Sequence, residues 1–282
     1  MLSNINDQIT LAYKLSKNSQ SKIIDVISKK YGFNLIPAEK LSVDKNLPLI
    51  RITKNHLYLE YKDHTFFFHP SISLLRMINI KRGIKDRFLE AVGLVEGDSL
   101  LDATMGLASD ALIASWAVGA RGKVIAIEYS PLVFMLVKEG LERLEKIIPS
   151  KVKNAEKQEA WLELAKASSL IRPICADHQS VINGLSDSSI DVIYFDPMFR
   201  NTIASSSSIK PLKEWSYPEP LRIETIRQAC KVARKRVVLK ERRNGGEFER
   251  LGFKLLDGSR YNPIGFGIIN LTGTRGYTSC NR

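Results

Sequence analysis

From about residue 98 onward, short apolar runs alternate with longer amphipathic segments, and that alternation leaves few folds open. "DSLLDAT", "GKVIAIEYS", "IRPICAD", "SIDVIYFDPMF" and "KRVVLK" read as strands. Between them "SDALIASWAVGA", "PLVFMLVKEGLERLEKI", "KNAEKQEAWLELAKASS" and "EPLRIETIRQACKVAR" read as helices. Strands alternating with helices build a largely parallel sheet covered on both faces, with right-handed crossovers. "FKLLDGSRYNPIGFGIINLTG" adds a terminal antiparallel pair. The expected class is α/β: a doubly wound, mostly parallel, Rossmann-like sheet of seven strands spanning 98–282. Residues 1–66 read as a small mixed α/β amino-terminal subdomain. Its parts are the strand "ITLAYKL", the helix "SQSKIIDVISKKYG", and a hairpin in "LIRITKNHLYLEYKDHTFFF" with a turn near Lys54-Asn55. Residues 67–97 form a helical connection made of "SISLLRMINIKRG" and "DRFLEAVGL".

One strand ends unusually. "IDVIYFDPMFR", residues 190–200, runs from apolar residues into Asp196-Pro197. Proline has no N–H to donate and stops strand pairing. An Asp at that point faces the carboxyl edge of the sheet, where open α/β sheets bind ligands. The plain alternative is an Asp-Pro turn closing a core strand. The neighbouring strands favour the ligand. Asp102, Glu128, Asp177 and Asp196 fall at the ends of four successive strands, so their side chains converge on one cleft. Uncompensated buried carboxylates are costly, and a donor-rich ligand gives them a reason to be there.

The spacing narrows the ligand. Asp102 opens a tight loop in which Gly106 lets a ligand approach the backbone. Glu128 follows Asp102 by 26 residues, roughly the offset of a ribose-binding carboxylate in dinucleotide folds. Asp177 can accept from an adenine amino group. The loop has neither GxGxxG nor GxxxxGK[ST], so a pyrophosphate or triphosphate is a poor fit. A nucleoside cofactor without phosphate, S-adenosylmethionine, suits it better. Asp102 then lies near the cofactor's amino-acid portion or holds the loop that binds it.

"LLDATMGLASDA", "AIEYSP", "YFDPMF" and "KRVVLKER" together resemble the RsmJ-type family of small-subunit ribosomal RNA guanine-N2 methyltransferases. The resemblance runs from about "FFFHPS" to the end of the chain and is weak over the first 60 residues. It implies a class I S-adenosylmethionine fold. It also implies cofactor contacts at Ser109, Asp110, Glu128, Tyr129, Asp177, His178 and Asp196. The chain departs from the family pattern at Ala108-Ser109, Asp177-His178 and Arg200. DPMF is similar to the [DN]PP[YF] motif of amino-methyltransferases. The expected catalytic set is Asp196, Pro197 and Phe199: the carboxylate and the Pro197 carbonyl accept from an exocyclic amine, and Phe199 stacks on the base. Catalysis is then chiefly alignment, with electrostatic help from Asp196. A DNA-adenine or protein-amide methyltransferase and a non-catalytic nucleotide- or RNA-binding module are the competing functions. Long target-recognition domains are absent, which favours RNA.

Charge points the same way. The net charge is +12, and between Ile226 and Arg282 thirteen Lys/Arg face four Asp/Glu. That excess suits a polyanion, ribosomal RNA or the small ribosomal subunit. Arg200, Lys240, Arg242 and Arg243 are the candidate RNA-binding residues, beside a Ser-rich loop at 200–210. Arg234, Lys235 and Arg236 read instead as complementing a helix carboxyl end. Three scattered cysteines exclude a CxxC zinc site and a disulfide framework, and no metal is expected. No secretory signal or membrane-length apolar run is visible, so the expectation is a cytoplasmic protein. His69 in "FFFHPS" reads as a turn histidine, "GGEF" (245–248) as a chance tetrapeptide, and Trp215 as a target-pocket residue.

Overall fold

The computed structural model describes residues 9–16, 22–40, 47–53, 56–144, 146, 154–197, 215, 217, 219–258 and 262–271. At the amino terminus, β1 (Thr10–Leu15), α1 (Lys22–Tyr31), β2 (Asn34–Pro37), β3 (Leu49–Ile52), β4 (Leu57–Tyr61) and β5 (His64–Phe67) build a five-stranded sheet ordered β2-β1-β3-β4-β5. Helix α1 stops at Gly32, whose φ of 70° no β-carbon-bearing residue adopts easily. The expected hairpin is a three-strand meander. Its second turn, at Lys62-Asp63, uses a lysine with φ 53° and carries no glycine to announce it. The expected turn at Lys54-Asn55 lies outside the described residues. Strand β2, parallel to β1, is short and ends in Pro37, which only an edge strand tolerates.

Helices α2 (Ser71–Lys81) and α3 (Arg87–Val92) form the connection. The large sheet then contains β6 (Ser99–Asp102), β7 (Lys123–Glu128), β8 (Ile171–Cys175), β9 (Ile190–Phe195), β10 (Ala233–Arg242), β11 (Lys254–Leu255) and β12 (Ile264–Asn270). Between them run α4 (Ser109–Val118), α5 (Pro131–Leu144), α6 (Ala155–Ser169), α7 (His178–Asn183), α8 (Ile223–Val232) and the one-turn α9 (Glu247–Arg250). The order is β11-β12-β10-β9-β6-β7-β8, with β12 antiparallel to β10 and β11. This is the seven-stranded, doubly wound sheet expected.

Every residue of β9 is buried. Its period-two alternation sends Val192 and Tyr194 into one hydrophobic cluster, and Ile193 and Phe195 into another on the opposite face. Two-sided burial explains why this strand reads as an unbroken apolar run. The strand order reverses between β6 and β9, so the crevice beyond their carboxyl ends is the topological switch point.

Two details correct the sequence reading. Arg234, Lys235 and Arg236 belong to β10 rather than to a helix end. Arg234 pairs with Asp191 at 2.9 Å, Lys235 with Asp98 at 2.5 Å, and Arg236 donates to the Ala91 carbonyl at 3.1 Å. Trp215 is buried against Tyr61 and Phe66 of the small sheet, with ring centroids 4.9 and 5.9 Å away, so it serves packing. His69 is exposed beside Phe67 and Trp161.

The small sheet docks on α5. Lys30 and Tyr31 both reach Glu139 at 2.9 Å, and one hydrophobic cluster runs from Leu11 and Leu59 to Leu132 and Leu136. Phe68 lies directly over Gly140, where a β-carbon would sit 2.2 Å from its ring. Replacing a mid-helix glycine by alanine ordinarily stabilises by about 0.5–1 kcal/mol. Here the overlap with Phe68 reverses the sign. Gly140→Ala is expected to lower the unfolding free energy by about 1–3 kcal/mol, read from denaturant midpoints. A stabilised variant would show that Phe68 does not depend on the glycine.

Candidate active site

The loop after β6 is stitched to both neighbouring strands. Ala103 N–H donates to the Tyr194 carbonyl at 2.9 Å, and Met105 N–H to the Ile127 carbonyl at 2.7 Å. Thr104 Oγ1 accepts from the Asp196 N–H at 2.6 Å, and Asp102 Oδ1 accepts from the Thr104 N–H at 3.0 Å. Asp102 is 1% exposed, and burial holds its carboxyl well above the usual carboxylate range. Through its bond to the Thr104 N–H, Asp102 holds the start of the loop. Gly106, at φ 49°, turns its N–H onto Glu128 Oε2 at 3.0 Å. Ala108 takes the left-handed conformation, φ 58°, just before α4. Ser109 Oγ is buried and has no protein partner among the described residues.

At the end of β7, Glu128 Oε1 also accepts from the Ser130 N–H at 2.8 Å. Burial outweighs these backbone donors and pushes its carboxyl up to about 7. Tyr129 keeps its ring partly exposed and meets Tyr217 edge-on at 5.1 Å. Tyr217 in turn lies 4.7 Å from the buried His178 ring, which also touches Phe195. Burial pushes the His178 imidazole down, favouring its neutral form. Asp177 caps α7, accepting from the Gln179 N–H at 3.1 Å and the Ser180 hydroxyl at 3.0 Å. A carboxylate has further lone pairs, so capping does not exhaust it.

The third part is a charge cluster. Lys240 Nζ lies 2.6 Å from Asp196 Oδ2 and 3.2 Å from Asp110 Oδ2. Asp110 Oδ1 pairs with Arg76 NH1 at 2.6 Å, and its Oδ2 accepts from the Tyr194 hydroxyl at 2.7 Å. Arg76 also grips Asp86 through two bonds of 2.7 and 2.9 Å. Burial opposes ionisation of Asp110, but Lys240 and Arg76 outweigh it and lower its pKa. Burial pushes Asp196 up to about 6, with Lys240 opposing and Asp110 adding to the rise. Burial disfavours the Lys240 charge as well, yet its two carboxylates raise its pKa.

This geometry corrects two expectations. Of the four strand-end carboxylates, Asp196 is compensated by Lys240, while Asp102 and Glu128 are met by backbone N–H groups instead. Lys240 is therefore committed to Asp110 and Asp196. Its ammonium points into the cleft. The sequence carried the signal: β9 and β10 run parallel with Phe195 opposite Leu239, so the next residues, Asp196 and Lys240, fall side by side. Arg76, Tyr194 and Thr104 were not read as site residues. Arg76 comes from a distant helix and leaves no local pattern. Pro197 is half-buried beside Asp196, Arg242 ends β10, and Arg243 follows it. Phe199, Arg200 and the Ser-rich segment lie outside the described residues.

Residues 68–250 match the family described as "Putative SAM-dependent methyltransferase". The chain is 36% identical to the uncharacterized protein YpiP of Bacillus subtilis, over 88% of this chain and 93% of that protein. It is 30% identical to ribosomal RNA small subunit methyltransferase J of Buchnera aphidicola, over 73% of this chain and 81% of that one. The corresponding enzyme of Hahella chejuensis is 26% identical over 83% and 85% of the two chains.

The site chemistry fits S-adenosylmethionine. An unpartnered Ser109 hydroxyl, the carboxylates of Glu128 and Asp177, and the Tyr129 ring offer donors, acceptors and a flat surface. If Glu128 holds the ribose hydroxyls, its ionised form is the better acceptor. With the free carboxyl at about 7, cofactor affinity should rise about tenfold from pH 6 to pH 8, with proton release. Calorimetry in buffers of different ionisation enthalpy measures both. Glu128→Ala should weaken binding by about 1.5–3 kcal/mol, and Glu128→Gln should flatten the pH dependence. A steep profile persisting in Glu128→Gln would move the titration to another group.

Proposed function

The chain belongs to the SAM-dependent methyltransferases of the RsmJ type, and on that premise we propose that it methylates guanine N2 of small-subunit ribosomal RNA. The observation that carries this reading is the placement of Asp196. Its backbone is tied to Thr104, its Oδ2 is held by Lys240, and its Oδ1 has no protein donor among the described residues. A carboxylate oxygen fixed at the switch point, next to a proline carbonyl, suits an amine with two N–H bonds. The lone pair of such an amine is delocalised into the ring. Two acceptors on its hydrogens turn the nitrogen toward its reaction partner.

S-adenosylmethionine, when bound, supplies the methyl group as an electrophile. The protein's own contribution is positional. Gly106, Ser109, Glu128, Tyr129, Asp177 and His178 surround the cofactor. Asp102 and Asp110 act through the loop and the charge cluster. Asp196 and the Pro197 carbonyl orient the amine, and Phe199 stacks on the base. With the cofactor bound, its methyl–sulfur bond would break as the N–C bond forms, the electron pair staying on sulfur, and the nitrogen would become cationic, which the Asp196 carboxylate favours electrostatically. The surplus proton then passes to water. Lys240 is a positioning residue: it holds Oδ2 and keeps Asp196 ionised. The basic carboxyl-terminal region, with Arg200, Arg242 and Arg243, meets the RNA, on a free strand or on the small subunit in the cytoplasm.

The test is single-turnover methylation of undermodified small-subunit RNA, with N2-methylguanosine identified as product. Asp196→Ala should lose about 100-fold or more. Asp196→Asn keeps an acceptor oxygen and should retain more rate than Ala. Equal inactivity of the two would point to a general base instead. With the Asp196 carboxyl at about 6, the wild-type rate should fall below that pH. Lys240→Met removes the cation that lowers the Asp196 pKa. Its acid limb should therefore move to higher pH. An unmoved limb would separate Lys240 from Asp196.

A further inference from the structure

Two arginines near the cleft lack partners. Arg87 NH1 and NH2, and Arg243 Nε and NH2, are buried without a hydrogen-bond acceptor among the described residues. Both guanidinium groups converge beside Gly258: a β-carbon there would lie 2.3 Å from Arg87 NH2 and 2.8 Å from Arg243 NH2. Arg87 Cζ also lies 5.9 Å from the Phe266 ring centroid. The backbone on each side is fixed. Arg243 donates its N–H to the Pro263 carbonyl at 2.9 Å, and Arg87 follows Asp86, the residue that grips Arg76.

An arginine keeps its charge, and leaving one buried without an acceptor is expensive. Two like charges turned toward one point compound that expense. Every other buried cation described above reaches a carboxylate or a carbonyl; these two do not. What would complete them is an anion with several acceptor oxygens. A phosphate matches the planar guanidinium fork through paired hydrogen bonds. We propose that Arg87 and Arg243 form a phosphate site that takes a backbone phosphodiester of the RNA substrate. The identification of the polyanion rests on the function proposed above; the anion site itself rests on the two arginines. The position suits that role. Arg243 lies three residues beyond Lys240 in the chain, and Arg87 directly follows Asp86, which anchors Arg76.

The test compares the full-length wild type with Arg87→Gln, Arg243→Gln and the double variant. Thermal melting is followed in inorganic phosphate and in chloride at matched ionic strength. Binding of an unmodified small-subunit RNA fragment is followed across a salt series. Phosphate should raise the wild-type melting temperature beyond the chloride control, and the double variant should lose that difference. RNA affinity should fall about tenfold or more in the double variant. The slope of log affinity against log salt should become shallower by about 0.7–0.9 for each phosphate that is no longer neutralised. S-adenosylmethionine affinity should stay unchanged. In chloride the variants should melt no lower than wild type, since each sheds a buried unpaired charge, and this verifies that they fold. Wild-type RNA affinity and salt slope in the folded double variant would overturn the proposal. So would phosphate stabilisation that survives both substitutions, which would mark an adventitious ion only. An arginine-dependent phosphate response in a protein that binds no RNA would support the anion site and overturn the RNA reading.

Discussion

The active edge of the sheet depends on Lys240 standing between Asp110 and Asp196. Two buried carboxylates facing one another without a cation raise each other's pKa, and one or both become neutral. Lys240 prevents that at Asp110, whose pKa is lowered, and restrains it at Asp196. Arg76 completes the balance from outside the sheet. Its guanidinium joins Asp110 on α4 to Asp86 at the start of α3. The helical connection between the two sheets thus contributes to the carboxyl edge of the large sheet, because one of its side chains neutralises a carboxylate there. Removing one partner from such a network exposes the others to the full desolvation cost.

The overall charge is distributed with a purpose that the net figure of +12 hides. At the amino end of β10, Arg234 and Lys235 are matched by Asp191 and Asp98, while Arg236 is held by a carbonyl. At its carboxyl end, Lys240 is matched as well. The basic residues left without an acidic partner on β10 are therefore fewer than the sequence suggests. Exposed pairs are individually weak, but they still cancel charge at distances where an RNA strand would feel it.

Much of this was legible in advance. The strands of the large sheet announce themselves because both faces are buried, which makes β9 a continuous apolar run. The acidic strand ends were visible because each follows such a run directly. What escaped has a common cause. Strand β2 and helix α7 are too short for periodicity to register. The turn at Lys62-Asp63 lacks the usual glycine or asparagine. Arg76 and Tyr194 reach the site through tertiary packing alone, and Lys240 read as surface charge because its partners come from β9 and α4. Local pattern reports which residues are buried, and it is silent about which buried charges meet.

Phe68 sits at the end of the small sheet and directly ahead of α2. It packs over Gly140, and within the second turn of the helix that follows, Arg76 reaches Asp110. The same stretch of chain therefore serves both the docking of the small sheet on α5 and the neutralisation of Asp110.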